Sequence, residues 1–390
     1  MKFRGLTIGV PCEIMTGERR VATIPETVKQ SVAAGARVVV ERGAGEKAFF
    51  DDRVFETAGA EMADGPEAVY AAADVLVKVK EPAFNDAVGK HEIDMMRAGT
   101  TLVSFLHPAN PANHDMVRML AGHGITSFTL DSIPRISRAQ HMDTLTSMST
   151  VAGYKSAITA AYNLSRFVPM IPTTAGVTNP AQYLVIGSGV AGLQAIATAR
   201  RFGARVKSLD IRPEANEQAE SLGAEIIPFD LPEGLGTGEG GYAARLPQEW
   251  YERERELLQP HIAESDAVVL AALIPGERAP ELITKEMVGA MKRGSVIIDI
   301  SIDQGGNCEL TRRGEEYTSS GVFISGILNV PASLPIDSSR MFAQNTFNYL
   351  SYIFDDGALK LDLEDEIIRG SMVTREEAVV HEGTLRAMNT

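Results

Sequence analysis

The run Tyr183-Leu184-Val185-Ile186-Gly187-Ser188-Gly189-Val190-Ala191-Gly192 sets three glycines at Gly-X-Gly-X-X-Gly spacing directly behind an apolar stretch. An Ala-rich stretch of helical character follows over 194–202, and a second β-branched stretch ends in Asp210, 18 positions after Gly192. Each glycine has a physical task. Gly187 permits a tight turn, Gly189 lets the backbone approach a pyrophosphate, and Gly192 lets helix and strand pack closely. The helix N-terminus at Val190 then offers N–H groups to phosphates. Asp210 is suited to accept from a ribose 2′,3′-hydroxyl pair and to repel a 2′-phosphate, which favours NAD over NADP. Arg212 pulls the other way, because a guanidinium could meet a 2′-phosphate. A glycine turn that serves packing alone is disfavoured, since triplet, strand, helix and acid occur together.

Four further polar residues stand at or after strand-like stretches. Arg20 follows the first such stretch, Lys80 ends Val75-Leu76-Val77-Lys78-Val79-Lys80, His107 ends Val103-Ser104-Phe105-Leu106-His107, and Asp303 follows Ile298-Asp299-Ile300-Ser301-Ile302. In open parallel sheets ligands bind beyond the carboxyl ends of strands. Arg and Lys there could hold a carboxylate, and a histidine could pass the proton that accompanies hydride transfer at an alcohol or amine carbon. Taken singly, each is equally a solvated charge. A second cluster, Arg135-Ile136-Ser137-Arg138-Ala139-Gln140-His141-Met142-Asp143, precedes a long helical stretch. It reads either as a helix cap or as a set in which Arg135, Gln140 and Asp143 face a nicotinamide carboxamide across an interdomain cleft.

The elements that must position these groups alternate between β-branched runs and helical periodicity, the pattern of an α/β protein with parallel sheets. Strands are expected over 6–10, 37–41, 75–78, 101–105 and 125–130, with helices over 25–34, 66–73 and 113–121. A second series of strands is expected over 183–187, 205–211, 225–229, 267–273, 295–300 and 322–327. Two Rossmann-like parallel-sheet domains joined by long helices follow, with the NAD cleft between them. One helix over 147–166 divides the chain into an N-terminal domain, 1–145 plus 335–390, and an NAD-binding domain, 146–334. After a helix over 340–354, the tail reads as two short strands around Arg369-Gly370 that return to the first domain. Five glycines within 231–242 exclude a regular element and imply a mobile projecting loop.

Composition narrows the function classes. With 44% hydrophobic and 23% charged residues the chain is an ordinary globular one, and 37 Lys and Arg against 51 Asp and Glu give a net charge of −14. That sign disfavours nucleic acid and anionic membrane surfaces as partners. Cys12 and Cys308 alone cannot build a disulfide framework or a four-cysteine zinc site, and no metal is expected. The longest apolar run, 267–274, is far short of the roughly 20 residues that span a bilayer, so no direct membrane span is expected.

The chain resembles the alanine dehydrogenase and proton-translocating NAD(P) transhydrogenase α-subunit family over nearly its whole length, and the soluble NAD(H)-binding α1 component of transhydrogenase most. The resemblance rests on Pro134-Arg135-Ile136-Ser137-Arg138-Ala139-Gln140, Val151-Ala152-Gly153-Tyr154, the glycine triplet, Gly240-Gly241-Tyr242-Ala243, Ala272-Leu273-Ile274-Pro275-Gly276 and Gly305-Gly306-Asn307-Cys308. It implies that Arg135, Gln140 and Asp143 bind the nicotinamide end of NAD(H), with Thr146 in place of a family serine. It implies that Tyr242 lies on a loop closing over the nucleotide and meeting an NADP(H)-binding component, and it adds Ala272, Leu273 and Asn329 to the cofactor-binding set. Lys80, His107, the Ile302-Asp303-Gln304-Gly305-Gly306 run and Asn329-Val330-Pro331-Ala332-Ser333 look instead like alanine dehydrogenase, where the matching Arg, Lys, His and Asp bind and protonate pyruvate or alanine.

The resemblance therefore implies hydride transfer at NAD in one of two settings. As a transhydrogenase component, the chain would partner a membrane subunit and an NADP-binding β-subunit. As a free-standing alanine or amino-acid dehydrogenase, it would take a small amino or oxo acid at Arg20, Lys80, His107 and Asp303. A non-catalytic NAD-sensing scaffold is the remote alternative. The family also implies a homo-oligomer, dimer or hexamer. The expected location is cytoplasmic, either free or peripheral at the inner face of the membrane.

Overall fold

The computed structural model describes residues 1–389 except 233, 239–240 and 275–277. The chain forms two compact units, one of residues 1–148 with 332–390 and one of residues 149–331. Each is built on its own sheet. The α/β class with two parallel-sheet domains is what the structure shows.

In the first unit eight strands lie in the order Ala378–Val379, Met372–Arg375, Thr126–Thr129, Thr101–Ser104, Val75–Val77, Thr7–Val10, Arg37–Glu41, Glu61–Ala63. The six strands up to Thr126–Thr129 are mutually parallel. They follow the doubly wound order, which reverses between Thr7–Val10 and Val75–Val77. Both of those strands are fully buried, as runs of Val, Ile and Leu covered on two faces must be. Helices Pro25–Ala33 and Pro66–Ala72 each open on a proline whose missing N–H costs the first turn nothing.

The second unit repeats the plan. Its seven strands run Glu225–Ile226, Arg205–Leu209, Gln182–Ile186, Ala267–Leu270, Val296–Asp299, Val322–Ser325, Glu316–Ser319, with only the last pair antiparallel. Here the order reverses between Gln182–Ile186 and Ala267–Leu270. Helix Gln248–Glu264 has no counterpart in the expected elements. Its fully buried stripe is Glu254, Leu258 and Ile262 at four-residue spacing, with Tyr251 and Leu257 partly buried beside it.

The tail corrects one expectation. Arg369 and Gly370 lie in a helix, Glu366–Ser371, capped by Asp365, which accepts from the Ile367 N–H. The hairpin comes later, Met372–Arg375 with Ala378–Val379, and its turn uses positive φ at Glu376 and Glu377 rather than at Gly370. Met372–Arg375 then pairs antiparallel with Thr126–Thr129, so the tail completes the first unit's sheet.

A buried ionic network fills the reversal point of the first sheet. Lys78, 1% exposed, donates to Glu92 at 2.7 Å and lies 3.8 Å from Glu13. Tyr70 also donates to Glu92, and Glu13 accepts from the Val79 N–H at 2.5 Å and the Lys80 N–H at 3.3 Å. Burial pushes the Glu13 carboxyl up to about 7 even though Lys78 pulls it down. A lysine within Val75-Leu76-Val77-Lys78-Val79 has to find such partners, because an unpaired buried ion costs far more than a paired one. Lys78→Met should therefore destabilise the protein by about 3–5 kcal/mol. Chemical denaturation checks this, and a loss below about 1 kcal/mol would mean the network is solvated.

Candidate functional site

The second unit's reversal point carries the glycine triplet. Gly187 adopts φ +90, and a side-chain carbon there would lie 2.6 Å from the Ala272 nitrogen at the end of the neighbouring strand. One on Gly192 would lie 1.9 Å from the Gly187 carbonyl oxygen. One on Gly189 would meet only the Arg212 Nη2, at 3.8 Å, so space is open above this residue. No side chain caps helix Val190–Arg201, which leaves its first-turn N–H groups for an anion.

Asp210 sits at the end of Arg205–Leu209 with its carboxylate fully engaged. Oδ2 accepts from the Ser188 N–H at 2.7 Å and Arg212 Nη2 at 2.7 Å. Oδ1 accepts from the Arg212 N–H at 2.9 Å and Arg212 Nε at 2.9 Å. Asn216 closes the turn on the backbone of Asp210 from both sides. Glu254, buried on its helix, is pushed up to about 8 by desolvation and then by the Asp210 charge.

Ala272 is held by a residue that spacing alone did not single out. Buried Asn307 accepts from the Ala272 N–H at 3.1 Å and donates to the Ala272 carbonyl at 2.8 Å and the Pro280 carbonyl at 2.7 Å. Beyond it Leu273 is 40% exposed. Asn329 takes φ +51, a conformation asparagine tolerates. The glycine-rich segment does not simply project: as far as it is described, it folds back. Gly236 packs where a side-chain carbon would lie 2.3 Å from the Ile211 carbonyl oxygen, Gly238 N–H donates to Tyr242, and Arg212 Nη1 donates to Gly241 at 3.2 Å. Gly240 and the pair Pro275-Gly276 lie outside the described residues.

In the first unit, Arg20, Lys80 and His107 follow Thr7–Val10, Val75–Val77 and Thr101–Ser104, three adjacent parallel strands, so all three come to one edge of the sheet. Their environments differ. Arg20 is buried and held by Glu18, Nε to Oε1 at 2.7 Å and Nη2 to Oε2 at 2.6 Å. Lys80 is half-buried. His107 takes φ +44, stacks on Phe105, and places Nδ1 3.6 Å from Glu81 and Nε2 3.9 Å from Asp131. Asp303 is exposed in the 3-10 turn Ile300–Gln304, and it belongs to the other sheet.

Arg135 and Gln140 are exposed around the short helix Ser137–Met142. Asp143 caps helix Thr144–Asn163: it accepts from the Thr146 N–H at 2.8 Å and the Thr146 hydroxyl at 2.6 Å. The same loop is anchored by Asn345 and Asn348, both donating to the His141 carbonyl.

Two domain signatures cover this architecture: the alanine dehydrogenase/PNT N-terminal domain matches residues 9–152, and the C-terminal domain matches residues 156–382. The chain belongs to the alanine dehydrogenase/PNT family. It is 42% identical to the first part of the NAD(P) transhydrogenase subunit alpha of Rhodospirillum rubrum, over 96% of this chain and 98% of that one. It is 30% identical to the alanine dehydrogenase of Bacillus subtilis, over 98% and 94%. The crystal structure of transhydrogenase from Sinorhizobium meliloti superposes with a TM-score of 0.82 at 36% identity, covering 96% of this chain and 99% of that one. Members of this family are NAD(P)-dependent oxidoreductases, and NAD(H) is the family's cofactor.

For a member of this family, the open space over Gly189 and the uncapped helix fit a dinucleotide phosphate. Gly192→Ala should cost about 1–3 kcal/mol or more, because backbone must move to admit the added carbon. Gly189→Ala should keep the melting temperature and weaken NADH binding. Thermal melts and NADH titration separate the two, and a Gly189→Ala protein that binds NADH unchanged would place the phosphates elsewhere.

His107 generates a second expectation. Burial opposes its charge, but Asp131 and then Glu81 outweigh burial and raise its pKa above the ordinary 6.5. A pKa raised on folding stabilises the protein below the unfolded value, and that contribution is lost as pH climbs through the raised one. The stability gap between the protein and His107→Gln should be widest below about pH 6.5 and narrow above it. Urea unfolding at stepped pH measures this, and a gap that widens with pH would contradict it.

Proposed function

We infer that this chain is the NAD(H)-binding alpha component of an NAD(P) transhydrogenase, working with a membrane subunit and an NADP-binding β-subunit. The observation that carries the reading is the end-to-end match to a chain that is itself only the first part of a transhydrogenase alpha subunit. Among the described residues no helix is long and apolar enough to cross a membrane. The chain would then sit on the cytoplasmic face.

Bound NAD(H) supplies the hydride-carrying ring. This chain's residues do the rest. Gly187, Gly189 and Gly192 with the N–H groups from Val190 hold the pyrophosphate, and Asp210 selects the unphosphorylated ribose. Asn307 fixes the Ala272–Leu273 wall. Arg135 and Gln140 orient the carboxamide from a loop that Asp143 and Thr146 stiffen, while Tyr242 and Asn329 complete the surround. Hydride transfer between two nicotinamides requires alignment and exclusion of water, not a proton donor.

One observation favours a second reading, an amino-acid dehydrogenase: His107 lies between two carboxylates that raise its pKa, next to the strand that Lys80 follows. Such an enzyme would use Arg20 and Lys80 on a substrate carboxylate, and Asp303 and His107 at the reacting carbon. The two readings separate in one assay. The expected result is hydride transfer from NADH to an NADP analogue only after mixing with the NADP-binding subunit of a relative, and no NAD reduction by L-alanine. Alanine-dependent NAD reduction by the chain alone, lost in His107→Ala with NADH affinity intact, would overturn the transhydrogenase reading.

The chain is also proposed to self-associate. Phe167, Met170 and Val177 are exposed on and just before the hairpin Ile171–Thr173 and Gly176–Thr178, and Tyr162 is exposed near the end of the preceding helix, which supplies apolar surface for such a contact.

A further inference from the structure

Asp210 offers about four acceptor positions, two on each oxygen, and all four are occupied. Backbone N–H groups of Ser188 and Arg212 take one on each oxygen. The Arg212 side chain takes the remaining two, Nε on Oδ1 at 2.9 Å and Nη2 on Oδ2 at 2.7 Å. A ribose 2′,3′-diol needs that same pair: two parallel donors, one to each oxygen. The guanidinium therefore has the footprint of the diol on this carboxylate. It also lies over the second glycine of the triplet, with Nη2 3.8 Å from where a side-chain carbon on Gly189 would be.

We propose that Arg212 is an internal stand-in for the nucleotide's ribose diol, and that nucleotide binding exchanges its side-chain bonds to Asp210 for the two hydroxyls. The proposal rests on the NAD reading above. The exchange keeps the hydrogen-bond count of Asp210 constant, so a diol gains little against the resident guanidinium. It also releases the bond from Arg212 Nη1 to the Gly241 carbonyl. The freed cation remains within reach of the pyrophosphate over Gly189, which offsets the loss of its partner. Arg212 thus lowers discrimination between nucleotides with and without the diol. Without the Arg212 side chain Asp210 would keep only its two backbone donors and discriminate more strongly, because unmet acceptor positions on a buried carboxylate are costly.

The test is calorimetric titration of the full chain with ADP and with 2′,3′-dideoxy-ADP, in the natural protein, Arg212→Ala and Arg212→Gln. The expected result is a preference for ADP of only a few-fold in the natural protein, rising by about tenfold in both variants. An unchanged ratio in the variants, with either nucleotide bound more weakly, would make Arg212 an ordinary attractor of phosphate and overturn the proposal while leaving the NAD reading intact. Failure of the natural protein to bind either ADP or NADH would overturn that reading and the proposal with it. Arg212→Gln guards against a folding defect in Arg212→Ala, since it keeps a polar side chain at the turn.

Discussion

The Gly187 carbonyl and the Gly192 Cα lie so close that no side-chain carbon fits between them. That contact sets where helix Val190–Arg201 begins, and hence where its uncapped N–H groups point. The turn before it leans on the neighbouring strand end, where Gly187 touches the peptide of Ala271 and Ala272. Asn307 fixes Ala272 through both its N–H and its carbonyl. A phosphate site needs donors aimed at a fixed point and room for the anion, and both trace to this contact.

The first sheet has the same strand order yet treats its reversal point in the opposite way. No glycine triplet follows Thr7–Val10. Glu13 instead reaches across and accepts the N–H groups of Val79 and Lys80, which follow the neighbouring strand. Those are the donors an anion would need, and Lys78 and Glu92 pack beneath them. A carboxylate that fills the crevice repels a phosphate. One fold plan thus yields one sheet fit for a dinucleotide and one whose crevice a glutamate already fills.

Much of this was legible in the residues. Central strands such as Arg37–Glu41 stand out because burial on both faces demands unbroken β-branched runs. Edge pieces did not: Glu61–Ala63 is three residues with one buried, and Glu316–Ser319 has no buried residue at all. The glycine triplet was readable because its spacing is itself the geometry. Partnerships were not. Lys78 looks like one more residue in an apolar strand, yet it is the more buried ion, while Lys80 keeps contact with solvent. A lysine ringed by Val and Leu is the signal, because it must have a carboxylate somewhere in the chain. Asn307 was visible only as part of the Gly305-Gly306-Asn307-Cys308 run, since its work depends on the Ala272 and Pro280 segments meeting it in space.

Two arginines looked available to a ligand, and each is forked onto a carboxylate two residues earlier: Arg20 onto Glu18 and Arg212 onto Asp210. An acid-X-Arg triplet can close on itself, so the charges that a spacing argument offers to substrate and cofactor are already neutralised locally. Binding at either place is then an exchange of partners rather than the capture of an anion by a waiting cation. The cost of exchange differs between the two. Arg20 is almost wholly buried, so pulling it from Glu18 separates two ions in the interior. Arg212 is more open and has open space over Gly189 beside it. Exchange is therefore cheap at the nucleotide end and expensive at the amino-acid end, which is the asymmetry expected of a protein that turns over NAD(H) without taking up a small carboxylate of its own.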